Sequence, residues 1–84
     1  MSSTAWRDEA FRTSYDDTLK ASLTKRRNSE PDFSVDSLRG ILKHLYEQDG
    51  NDQFGRGELQ DLILRGIIEA HEDFLAGWES ERRQ

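Results

Sequence analysis

Between Glu47 and Glu58 the chain sets out oxygen donors at regular intervals. Glu47, Asp49 and Asn51 alternate, Gln53 adds a backbone carbonyl, and Glu58 closes the stretch with a carboxylate. A hard cation such as calcium takes six or more oxygens, and one flexible turn can supply them. The same stretch contains Gly55-Arg56-Gly57, directly ahead of an apolar periodic segment. Two glycines before a helix start expose backbone N–H groups at the positive end of the helix dipole, and Arg56 adds a guanidinium. Those are the parts of a small-anion site, although Glu58 and Asp61 already bring negative charge to that turn. The plainer reading is a polar connector in which Arg56 pairs with Asp49 or Asp52.

Counted with Glu58 as its last residue, the stretch resembles the calcium loop of an EF-hand. The resemblance puts Glu47, Asp49 and Asn51 at the first, third and fifth ligand positions and Gln53 at the seventh. Phe54 takes the apolar eighth position and Glu58 the bidentate last one, and Leu59, Leu62 and Ile63 follow as an exiting helix. It implies a cation-responsive module. Glu47 stands where aspartate is usual, Asp52 stands where glycine makes the sharp turn, and no second loop of this kind is present.

Elsewhere the chemistry-bearing residues are sparse. Glu69, His71, Glu72 and Asp73 crowd together in sequence. On a helix, though, Glu69 and Asp73 share one side while His71 points to another, so the group predicts no metal site. His44 falls beside an apolar line and His71 within an apolar flank, where an imidazole serves as a hydrogen-bonding group. No Gly-x-Ser-x-Gly or Ser-x-x-Lys element occurs, and cysteine is absent. That removes a disulfide framework and thiolate ligands. The expectation is a chain that is not an enzyme, with no catalytic residues, no metal and no cofactor.

The balance of charge narrows the partners. The 84 residues carry a net charge of −5, which argues against nucleic acid or an anionic membrane as partner. The single basic run, Lys25-Arg26-Arg27, sits near a helix end, where it complements the dipole. No apolar run approaches the length of a membrane span, and the first residues lack the pattern of a signal peptide, so a cytoplasmic location is expected. Leu, Ile, Val and Phe together make only 18 of the 84 residues. So thin a core predicts one small domain, leaves scant room for a large pocket, and favours oligomerisation.

Three amphipathic segments position these residues. Trp6, Ala10, Phe11, Tyr15, Leu19 and Leu23 recur mostly at four-residue steps, predicting a helix over about 5–26 whose stripe drifts round the axis. Pro31 ends it, and Phe33-Ser34 supplies a staple and a cap for a second helix over about 35–48. In that helix Val35, Leu38, Ile41, Leu42 and Leu45 form one narrow face, with Tyr46 at its edge, and Gly40 is placed for close helix contact. The stretch from Asp49 to Gly57 reads as loop, with Phe54 as a plug, and a third helix spans about 58–79. Residues 1–4 and 80–84 should fray.

The third helix is the most apolar of the three. Leu59, Leu62, Ile63, Gly66, Ile67, Ala70, Phe74 and Trp78 share one face, and Leu64, Ile68, His71 and Leu75 extend it. The reading is an all-α, three-helix bundle with a long, central C-terminal helix. The Leu59/Ile63/Ala70/Phe74 flank should receive the first two helices. The Leu64/Ile68/His71/Leu75 flank should meet either the first helix or a second copy across a two-fold, with His71 making assembly pH-sensitive. The function expected is a non-enzymatic interaction module, a homodimer presenting an acidic surface to another protein.

Overall fold

The structure, a computed structural model, describes residues 5–51 and 57–82, with the backbone alone given at residue 51. Its described residues form three helical arms and no strand. The first arm is continuous from 5 to 29 but changes its winding twice: α1 (Ala5–Asp16), a π-helical stretch (Asp17–Leu23) and α2 (Thr24–Ser29). Next come α3 (Val35–Asn51) and α4 (Glu58–Arg82). Consecutive arms run antiparallel. Arg7 meets Glu58 and Arg27 meets Glu81, so the first arm and α4 are parallel, whereas Arg39 meets Glu79 and Tyr46 meets Glu72 across the reversed α3.

The π-helical stretch answers the drifting stripe of the first arm. At 100° per residue a four-residue step overshoots a full turn by about 40°, so Leu19 and Leu23 would slide off the side set by Phe11 and Tyr15. Bonding to the fifth residue back widens the turn and rotates the chain less per residue. The backbone N–H of Thr24 donates to the Leu19 carbonyl, and the Thr24 hydroxyl donates to the same oxygen at 2.8 Å. Leu23 thereby returns to the core and is fully buried.

The first break follows local rules. Glu30, ahead of Pro31, is extended at φ −113° and ψ 104°, as the proline ring requires. Ser34 caps α3 by accepting the Ser37 N–H at 3.2 Å, and Phe33 beside it is buried against Leu23 and Leu38. Val35, Leu38 and Leu42 form the buried face of α3, with Ile41 and Leu45 half-buried.

Two helix ends differ from expectation. α3 continues through Asp49 and Gly50 to Asn51, so the predicted loop starts later than the Asp/Asn-rich composition suggested. α4 runs on to Arg82 instead of fraying from Ser80. Its tail is held by Arg27, whose two amino groups donate to the Glu81 carboxylate at 3.0 and 2.8 Å.

α4 is the centre. Both α1 and α3 pack on it, and their backbones do not approach one another. The glycine that permits close approach is Gly66, and not Gly40. A Cβ at Gly66 would lie 2.8 Å from the Phe11 carbonyl oxygen and 2.9 Å from the Ser14 Cβ, whereas one at Gly40 meets nothing within 4 Å. Ser14 also donates its hydroxyl to the Ile63 carbonyl at 2.7 Å, tying α1 to α4 at this crossing.

Candidate functional site

The core closes the C-terminal half of α4. Leu23, Phe33 and Leu38 converge there, with Ile41, Phe74, Leu75 and Trp78 packed round them. Trp78 meets the Phe33 and Phe74 rings, each at 5.7 Å between centroids. Arg26 lies 4.4 Å over Phe33 and Arg27 4.4 Å over Trp78. The basic run read as a dipole complement thus also roofs the aromatic cluster, and Glu30 and Glu81 hold its two arginines in place. The Glu81 contact raises the Arg27 pKa and lowers that of Glu81.

The flank read as meeting either the first helix or a second copy is partly covered within one chain. Ile68 and His71 are buried and Leu64 and Leu75 half-buried in a single copy. Tyr46 and Arg39 of α3 reach Glu72 and Glu79 beside that flank, and the Arg26 charge of the first arm acts on His71. His71 has a ring nitrogen 2.7 Å from the Ile67 carbonyl, one turn back on its own helix. Burial pushes its pKa down, with the nearby Arg26 charge acting the same way against the bond to Ile67.

What remains open is the N-terminal end of the opposite flank, the one expected to receive the first two helices. Trp6, Leu59 and Ile63 are 45%, 49% and 38% exposed. With Ala10, Thr13, Ser14, Thr18 and Ile67 they line a groove of about 580 Å³ between α1 and α4, rimmed by Glu9 and Asp17. The thin core argued against a concavity of this size. It arises because α4 has 25 residues and α3 only 17, about 37 Å against 25 Å of helix. At 100° per residue Ile63, Ile67, Phe74 and Trp78 fall on one stripe. α3 and Phe33 cover its C-terminal part and do not reach its N-terminal part.

The described part of the oxygen-rich stretch is helical at both ends. Glu47, Asp49 and Asn51 lie in the helical backbone of α3, where Glu47 and Asp49, two residues apart, do not share a side. At the other end Arg7 holds Glu58, with Nε 2.9 Å from Oε1 and Nη2 donating to Oε2 at 3.2 Å. Gln53, Gly55 and Arg56, and Phe54 with them, lie outside the described residues, and Gly57 is exposed. Among the described residues no three His, Asp or Glu side chains gather as a metal site needs. Their helices include none long and apolar enough to cross a membrane.

Two tyrosines act as struts from α4 to its neighbours. Tyr15 donates to Asp73 and Tyr46 to Glu72, and these bonds push both phenols up to about 12. They therefore stay protonated donors across the physiological range. His44 is exposed on α3 and joins no cluster. Sequence reasoning missed the groove because it placed Leu59 and Ile63 under a helix. The available signal was the difference in length between the second and third apolar segments. Comparison of the chain with family models, with curated proteins and with solved structures finds no match.

Proposed function

We propose that this chain is a non-enzymatic protein–protein interaction module that engages its partner through the groove between α1 and α4. The observation that carries the reading is the concentration of exposed apolar side chains. Of the four large hydrophobics exposed among the described residues, Trp6, Leu59 and Ile63 line this one concavity. Grouped aromatic and aliphatic anchors of this kind mark partner sites on small domains. The walls offer little for catalysis. The Ser14 hydroxyl is committed to the Ile63 carbonyl, and neither histidine lines the groove. Two-fold self-association, the assembly expected from the sequence, would find more exposed apolar surface in this groove than on the Leu64/Ile68/His71/Leu75 flank, whose residues are buried or half-buried.

A photo-crosslinking residue at position 63, compared with one at exposed Lys43 on α3, tests the reading in cells of the native host. Discrete protein adducts at 63 and none at 43 are expected, and their mass separates a second copy from another protein. Equal labelling at both positions, or none at 63, overturns it.

A further inference from the structure

The proposal of a contact groove leaves the partner's chemistry open, and the rim supplies it. Glu9 and Asp17 are the charged residues lining the groove, and both are exposed acids on the first arm. Neither makes an ion pair among the described residues, although Arg7 nearby is taken by Glu58. They stand eight residues apart, about 12 Å along the helix, and Leu59 to Ile67 spans the same length on the opposite wall. An apolar floor about two turns long, bracketed by two unpaired acids, has the pattern that receives an amphipathic helix.

We infer that the groove binds an amphipathic helix whose apolar anchors seat between Trp6, Leu59, Ile63 and Ile67, and whose flank carries Lys or Arg about two turns apart to meet Glu9 and Asp17. The inference rests on the groove being the contact surface. A second copy is the poorer occupant. Among the described residues the exposed large hydrophobics outside the groove reduce to Tyr46, which donates to Glu72, so their main apolar offering to another copy is the same acidic-rimmed groove. A two-fold pairing would bring the Glu9 and Asp17 of both copies together, and like charges across an interface oppose it.

Three synthetic helical peptides with one leucine face and with Lys, Gln or Glu on the flanks serve as probes by isothermal calorimetry. The Lys peptide is expected to bind at least about tenfold tighter than the Glu peptide at low salt, the gap narrowing as salt screens the rim. Glu9→Lys with Asp17→Lys reverses the order. Ile63→Asp, or Leu59→Asp if the first variant loses its circular dichroism, abolishes binding. Equal binding of Lys and Glu peptides, binding that survives the Asp variants, or a dimer by light scattering that those variants dissociate overturns the inference. Specific crosslinks at position 63 without any Lys preference remove the basic helix and leave the contact surface standing. Loss of both removes both.

Discussion

Leu59, Ile63 and Ile67 in the N-terminal half of α4, and Phe74, Leu75 and Trp78 in its C-terminal half, are residues of one kind on one helix. The second set packs against buried Leu23, Phe33 and Leu38, from the first arm, the connection and α3, and is roofed by Arg26 and Arg27. The first set has α1 on one side and a groove on the other. Hydrophobicity is shared between the halves, so it does not explain the difference. Reach explains it, because α3 is eight residues shorter than α4 and lies against the C-terminal half. In a chain with so little apolar mass, one end of the bundle gathers the buried core and the other leaves Trp6, Leu59 and Ile63 exposed.

That division breaks most readily at the core. Leu38→Ala, with its side chain fully buried, should destabilise by about 2–5 kcal/mol in chemical denaturation, while Ile63→Ala at the groove costs under about 1 kcal/mol. Equal losses would mean that the N-terminal half is as much a core as the other. Next comes the α1–α4 crossing. Gly66→Ala forces a Cβ against the Phe11 carbonyl and should cost about 1–3 kcal/mol. Gly77→Ala on the same helix meets nothing within 4 Å and should stabilise by about 0.5–1 kcal/mol.

Acid sharpens the contrast further. The folded pKa of His71 lies below its ordinary 6.5, so the native state prefers the neutral ring. Below pH 6.5 the unfolded chain binds the proton more readily than the folded one. Stability is therefore full above that pH and falls as the pH drops toward the lowered folded value. Denaturant midpoints at pH 7.5 and 5.0 should differ in that direction, and His71→Gln should flatten the slope. A slope unchanged by the substitution would place the acid sensitivity elsewhere. The smallest effect is at the roof. Arg27→Ala removes a cation–π contact with Trp78 worth about 0.5–1 kcal/mol at an exposed site, and should alter the Trp78 fluorescence before it moves the melting temperature.

The helical arms were legible because their signals are local. Four-residue spacing from Trp6 to Leu23, Pro31 as a stop, Ser34 as a cap and the apolar run of α4 each act within a few residues. The all-α three-helix form with a central last helix follows from them. The start of the EF-hand-like stretch met a local contest as well. Asp49, Gly50 and Asn51 have the composition of a loop, yet they continue a helix already nucleated and docked from Val35 onward, and propagation needs far less than initiation. The tail beyond Trp78 was read as frayed because Glu81 finds its partner more than fifty positions away, in Arg27.

Which faces of the arms meet was settled only in three dimensions. Leu59/Ile63 and Ile68/His71 are both apolar flanks of one helix, and nothing within α4 says which one a neighbour will cover. That choice came from the π-helical turn that rotates Leu23 back to the core, from Gly66 admitting the backbone of α1, and from the short reach of α3. Each depends on residues far apart in the chain arriving together. The sequence by itself determined where the helices are and how much apolar surface they carry. The tertiary structure decided which part of that surface stays exposed, since burial belongs to pairs of surfaces and not to either one alone.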